Sequence, residues 1–338
     1  MPCSRYGNAP VVAPDRFPLM ISHLPALLGR RRIAALAIVP AAVAACAAAA
    51  GPVGPATLAA RLGSVRGGET LVLAPGDYGH LVFPKRSWSP AITIDANAAR
   101  FSRIDLKGVS GVTLRGGTVT GTGGRSYGVE IRDAHHVRVA GMTITGAHRG
   151  IVVATSSDIA LERNRLSGLL SDGINIAYTQ AALVQGNSCR DFLPTPGVYD
   201  AAGKRLRDGD HPDCIQAWSR PRFAPTADLR ILDNEATGNM QGIFLGNHVR
   251  AGVDDGGFDR VVVRGNRIAI ARPNGITVMG ARGADVRDNV IRTLPGARMV
   301  NRPDRPVRAV LRIADSTGVT ACNNRVDAAP DGIGTGRC

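Results

Sequence analysis

The chain has 338 residues, 44% apolar and 20% charged, which excludes a disordered polymer and allows one large domain or two ordinary ones. Aromatic residues are only 4%, so small and β-branched side chains must fill the interior. The formal charge of +14 rests almost wholly on arginine, with lysine only at Lys85, Lys107 and Lys204. It favours anionic partners, although GC-rich coding gives the same arginine bias.

Residues 1–50 read as an upstream extension and a bacterial export signal. Arg30, Arg31 and Arg32 form a basic region. Ile33 to Ala45 is an apolar run too short to span a bilayer, and small residues follow. The signal would direct the protein to the periplasm, the outer membrane or the medium, with Met20 as a candidate natural start. Val43-Ala44-Ala45-Cys46 resembles a lipoprotein processing box, which would place a lipid anchor on Cys46. Ordinary cleavage near Ala48–Ala50 is the alternative. No other long apolar run occurs, so no transmembrane span is expected. Residues 1–46 carry five arginines and one aspartate, so +10 remains beyond them.

Residues 51–338 are expected to form one domain. LVLAPGDYG at Leu71–Gly79 opens it as strand and turn. A pattern of apolar, x, apolar, two polar or small residues, x, apolar then recurs, as in VRVAGMTI from Val137, IALERNRL from Ile159 and VVVRGNRI from Val261. Asn164, Asn187, Asn234, Asn266, Asn289 and Asn324 share one slot in it, where a turn with left-handed backbone is expected. A second pattern follows each first one: GVEI, GIVV, GINI, CIQA, GIFL, GITV. The common period is 22–23 residues. Alternation within short runs means strands, and self-similarity at this period means a solenoid whose coils bury their apolar faces on each other.

Beyond residue 50 there are four cysteines: Cys189, Cys214, Cys322 and Cys338. An even number in an exported chain suggests disulfides. Cys189–Cys214 and Cys322–Cys338 is the preferred pairing because each closes a short loop, although three pairings exist. No spacing resembles a zinc site.

Over about residues 70–338 the chain resembles the pectate-lyase-like superfamily. That resemblance implies an all-β, single-stranded right-handed parallel β-helix with long loops on the central coils, and carbohydrate chemistry outside the cell.

The repeat is broken in one region. From first pattern to second is 13 and 14 residues in the coils from Val137 and Ile159, but 32 in the coil from Ala182. An insertion of some 18 residues, roughly Arg190 to His211, accounts for the excess. The returns after Cys214 and Gly242 are also long, as is RMVNRPDRPVR in the coil from Ala284. Six of the twelve aromatics beyond residue 46 lie here: Tyr178, Phe192, Tyr199, Trp218, Phe223 and Phe244. A regular scaffold with long loops at one level is a common way to build a site. Tyrosine and tryptophan faces suit sugar rings, or they fill gaps beneath loops.

Register within the second pattern aligns Arg149, Asp172, Asp213, Gln241 and Asn274 in one column. It aligns Glu130, Val152, Asn175, Gln216, Phe244 and Thr277 in the next. Asp172 and Asp213 thus stand on neighbouring rungs, where their charges repel unless a cation, a proton or a reaction holds them. The insertion adds Lys204, Arg205, Arg207, Asp208, Asp210 and His211. Three chemistries fit. In the first, β-elimination or epimerisation of a uronate, His211 is the candidate base and Arg149, Arg205 or Arg207 the neutraliser. Asp208 and Asp210 would suit a calcium ion. In the second, Asp172 and Asp213 hydrolyse a glycoside. In the third, the basic solenoid only binds a glycan or the cell envelope. DHPD at Asp210–Asp213 resembles the DPHD element of mannuronate epimerases in content but not order. SDGI at Ser171 resembles the NTDG element of polygalacturonases only in part.

The expectation is an exported lyase or epimerase on an acidic polysaccharide. Catalysis would fall to His211, Asp213, Asp172 and Arg149. Substrate binding would fall to Gln216, Trp218, Asn175, Arg205, Arg207, Lys204, Phe244 and His248. His148, one residue before Arg149, could also reach the column. Calcium at Asp208 and Asp210 is the only cofactor considered. Nucleic acid is not expected as a partner, because no nucleic-acid-binding module is present. Oligomeric state is open, with a monomer expected.

Overall fold

The computed structural model describes residues 51–338, apart from 203, 247–248, 251–252, 255, 300–301 and 328–335. The expected export signal and the candidate lipid site at Cys46 lie outside the described residues.

The chain winds into coils that each lay down three parallel strands, one on each of three faces. The first face has ten strands, from Thr70–Val72 to Thr317–Cys322. The second has ten, from Gly76–Asp77 to Arg325–Val326. The third has nine, from His80–Val82 to Val310–Ala314. The architecture is a right-handed parallel β-helix. Three faces rather than two patterns per coil is a correction with a simple cause. The second-face strands are only two to four residues long, as in Thr143–Thr145, and follow the asparagine so closely that they read as the tail of the first pattern.

Inward side chains stack in columns. On the third face Ile131, Val153, Ile176, Ala217, Leu245 and Val278 are in register, and all are buried. Each large aliphatic side chain removed from water in this way contributes roughly 1.5–3 kcal/mol. The glycines that open most third-face strands are required by close backbone approach. A Cβ on Gly150 would lie 2.5 Å from Gly173 O, and one on Gly242 would lie 2.1 Å from Gly275 O.

The asparagine slot is buried. Asn187 Oδ1 accepts from the Asn164 backbone N–H at 2.9 Å and from Asn164 Nδ2 at 3.0 Å. Asn187 Nδ2 donates onward to Leu161 O and Asn234 Oδ1. Left-handed backbone falls one residue earlier than expected, at Arg163, Gly186, Asp233, Gly265, Asp288 and Asn323. The turn is thus made by the preceding residue, and the asparagine satisfies buried backbone groups of adjacent coils.

One helix, Pro55–Ser64, was not expected. It starts at a proline and buries Leu58 and Leu62 in the core beside the first coil. Both disulfides join the expected pairs, Cys189–Cys214 and Cys322–Cys338. The first occupies the glycine slot and ties together the two feet of the insertion. The long loops carry antiparallel hairpins: Val198–Tyr199 with Arg205–Arg207, Val249–Arg250 with Val253–Asp254, and Arg298–Met299 with Arg302–Pro306. Loops therefore leave both edges of the third face near its middle.

Candidate functional site

Parallel pairing places Asp172, just before strand Ile174–Ala177, one rung from Asp213, which opens strand Asp213–Trp218. Both are 1% exposed. Arg149 on the preceding rung donates to Asp172 Oδ2 at 2.8 Å, and Asn175 Nδ2 donates to the same oxygen at 3.0 Å. Asn175 also donates to Gln216 Oε1 at 2.7 Å, and Gln216 Nε2 donates to Asp213 Oδ2 at 3.0 Å. The Trp218 indole donates to Asn175 Oδ1 at 2.8 Å. One network thus runs Arg149, Asp172, Asn175, Gln216, Asp213. Asp213 Oδ1, buried, has no hydrogen-bond partner among the described residues.

Burial pushes the Asp172 carboxyl up, against the charge of Arg149 and the hydrogen bonds of Asn175 and Arg149. Asp213 is pushed well above the usual carboxylate range, first by burial and then by the charge of Asp172. Arg272, Gln216 and Arg149 offset only part of this. Both carboxyls are thus biased towards the neutral form, Asp213 the more strongly.

A cavity of about 450 Å³ opens over Asp172, lined by Arg125, Tyr127, His148, Arg149, Asp210, His211 and Gln216. A second, of about 380 Å³, adjoins it through Arg149 and Gln216 and is lined by Trp218, Arg220 and Phe244. Arg220 lies over the Trp218 ring at 4.6 Å, and Tyr178 meets Trp218 edge-on and stacks on Phe223 at 4.2 Å. The insertion supplies one wall of the first cavity, and its Cys189–Cys214 clamp ends next to Asp213.

The structure brings Arg149, Asp172, Asn175, His211, Asp213, Gln216, Trp218 and Phe244 to this region. It places three insertion residues elsewhere. Arg205 donates to Asp208 at 3.0 Å, and Lys204, Arg205 and Arg207 are exposed on the hairpin, outside both cavities. His248 lies outside the described residues. His211 rests 3.3 Å from Asp208 Oδ1, its ring largely exposed. Asp210 accepts from the Thr195 backbone and meets His148 Nε2 at 3.2 Å. Burial raises the Asp210 carboxyl, but the bonds from Thr195 and His148 outweigh it and hold it low.

Asp208 and Asp210 are thus committed to different partners. Among the described residues no three acidic, histidine or cysteine side chains are grouped so that they could hold a metal ion. This donor set does not fit a calcium ion, which takes six to eight oxygens, and no step is derived through one.

Sequence reasoning missed Arg125, Tyr127, Arg220 and Arg272. Arg272 is more than half buried and faces Asp213. It donates to Asn239 at 3.2 Å, and burial holds its pKa below the ordinary value although Asp213 and Tyr199 push it up. A signal existed, because Arg272 stands two residues before Asn274, as His211 does before Asp213. Tyr127 pairs in register with Arg149, so extending that column by one coil reaches it.

A family model described as the right handed beta helix region matches residues 86–191. No curated protein matches. Among solved structures, the catalytic domain of a GH87 alpha-1,3-glucanase aligns at 10% identity over 79% of this chain and 58% of that one, with a TM-score of 0.36. The Dettilon tailspike protein aligns at 12% identity over 80% and 57%, with a TM-score of 0.45. The A-module of the Azotobacter vinelandii mannuronan C-5 epimerase AlgE6 aligns at 12% over 80% and 84%, at 0.42. The chain spans under two thirds of the first two of these, and likeness at this level says nothing of chemistry. Its own three-faced coils and the family match over residues 86–191 agree on the fold: the chain is a right-handed parallel β-helix.

Proposed function

We propose that the protein is a carbohydrate-active enzyme, a lyase or epimerase acting on an acidic polysaccharide at the cavity over Asp172. The observation that carries this reading is the convergence of Arg125, Arg149, His148 and His211 with a buried aspartate pair on one face. Arg149 and Arg125 hold the uronate carboxylate and stabilise the charge that develops on it. His211, with its exposed ring, takes the C5 proton. In a lyase the C5–H electrons form the C4–C5 double bond. The C4–O bond breaks, and the leaving oxygen takes a proton from the Asp172–Asp213 pair. In an epimerase C5 is reprotonated from the opposite side instead. Trp218, Arg220 and Phe244 bind the neighbouring sugar.

A hydrolase is the second reading, favoured by Asp213 being held neutral beside Asp172, one acid and one base. Export from a bacterial cell accords with two disulfides, which persist in oxidising compartments. Among the described residues no helix is long and apolar enough to cross a membrane.

The test is incubation of the protein with pectate, alginate and hyaluronan, following ultraviolet absorbance of unsaturated uronates, reducing ends and C5 configuration. Rising absorbance, or inverted C5 without cleavage, supports the proposal. Reducing ends without absorbance replace it with the hydrolase. Silence in all three readouts contradicts both.

A further inference from the structure

The second face carries a feature that the site on the third face does not use. Two cavities lie along it, of about 600 and 350 Å³, both lined by Glu235. The strands beneath them are in register from Arg165 through Ser188, Glu235, Arg267 and Val290 to Arg325. Six rungs at about 4.8 Å make a groove roughly 24 Å long.

Its charge is not cancelled. Arg190 pairs with Glu235 at 2.6 Å, and Arg292 pairs with Asp327 at 2.8 Å. Arg163, Arg165 and Arg267 are exposed, line the two cavities, and have no acidic partner among the described residues. The first face sets the baseline for this arginine-rich chain. There Arg115, Arg138, Arg260, Arg264, Arg282 and Arg287 each meet an aspartate or glutamate, and Arg230 is the exception among the described residues. Exposed arginines without an acidic partner among the described residues also occur elsewhere, as at Arg66, Arg207 and Arg230; what sets Arg163, Arg165 and Arg267 apart is that they line two adjoining cavities over in-register rungs.

We infer that this second-face groove is a non-catalytic binding site for an acidic polysaccharide, separate from the third-face cavity. Guanidinium groups bind carboxylate and sulfate in bidentate fashion. Repeated single charges along an extended glycan match unpaired arginines spaced along stacked rungs. Neither cavity is lined by an aromatic ring, which argues against single-stranded nucleic acid, whose bases need stacking platforms. The choice of polymer class rests on the proposed function, but the groove and its charges do not.

The test uses the full chain carrying Asp172→Asn, so that polymer is not consumed, and measures affinity for polygalacturonate and dextran sulfate at several salt concentrations. The triple variant Arg163→Ser, Arg165→Ser, Arg267→Ser is compared with an equal-charge control, Arg66→Ser, Arg230→Ser, Arg337→Ser, whose arginines are exposed away from the second-face column. The inference expects the groove variant to lose at least tenfold in affinity for one of these polymers and to show a shallower salt dependence. The control should change less than twofold. In the background with native Asp172, the groove variant should turn over short oligosaccharides as the parent does. Equal losses in the two triple variants would reduce the effect to net charge and overturn the inference. So would equal affinity for a DNA duplex, or no binding of either polymer by the parent. Absence of turnover with binding confined to the groove would instead sink the catalytic proposal and leave this one standing.

Discussion

Two pairs of buried carboxylates stand on neighbouring rungs of the third face, and they are held in opposite ways. Asp105 and Glu130 are in register and 6% and 5% exposed. Arg103 bonds both, at 2.7 and 2.6 Å, Lys107 reaches both, at 3.1 and 2.8 Å, and His80 and Arg132 add one contact each. Burial raises the Asp105 carboxyl, but Arg103 and Lys107 more than reverse it and hold it below the usual range. Asp172 and Asp213 have one cation in bonding contact, Arg149, and one facing, Arg272. Both carboxyls are raised, and one oxygen is left without a partner. Asp105 and Glu130 lie within strands, in the column of Asn175 and Gln216, whereas Asp172 and Asp213 stand at strand starts, and the two places also differ in their supply of cations. The first pair is neutralised in the manner of a structural ion cluster, whereas the second is left with raised carboxyls beside a cavity, as acid–base chemistry uses.

The largest effect should come from Asp213→Asn or Asp172→Asn. Turnover on the polymer should fall by about 10²–10⁴-fold with the fold intact, measured as initial rates beside circular dichroism. Asp105→Asn should leave turnover within about a factor of two, because that pair is outside the chemistry.

Arg272→Met should give a smaller loss of turnover than Asp213→Asn. It should also move the alkaline limb of the pH–rate profile upward, since removing a facing cation favours the neutral form of Asp213. An unmoved limb would detach Arg272 from the pair.

Glu130→Gln should cost about 1–3 kcal/mol in denaturant melts. This is less than a fully buried pair would cost, because Arg103 and Lys107 are part-exposed. The pH dependence should differ in sign between the pairs. Asp105, with its folded pKa lowered, contributes stability above the ordinary carboxylate value that is lost as pH falls. Asp213, with its folded pKa raised, is most favourable below that value and loses its contribution as pH rises towards the folded pKa. Asp213→Asn should therefore flatten the loss of stability between acid and neutral pH, and Asp105→Asn should flatten the loss on acidification. The smallest effect is expected from Arg132→Ala, whose half-exposed contact with Glu130 is worth no more than about 1 kcal/mol.

The solenoid was legible because its columns repeat locally. Ile131, Val153 and Ile176 follow one another at nearly constant spacing, and a one-residue slip would expose them all. The short second-face strands were not legible, since alternation needs more residues than they have. The aspartate pair could be read from register alone. Its electrostatics could not, because Arg272 comes from three coils beyond Asp172 and only winding brings it to Asp213. The insertion was conspicuous by its length. Which of its charges face the site depends on its hairpin, which turns Arg205 towards Asp208 and leaves His211 at the cavity.

The most direct measurement is an NMR titration of isotope-labelled aspartate carboxyl carbons, assigned with Asp105→Asn, Asp172→Asn and Asp213→Asn. The account predicts that Asp213 stays protonated well above the ordinary carboxylate range while Asp105 is ionised throughout it. Asp213 ionising together with Asp105 at low pH would contradict the distinction between a structural pair and a reactive one.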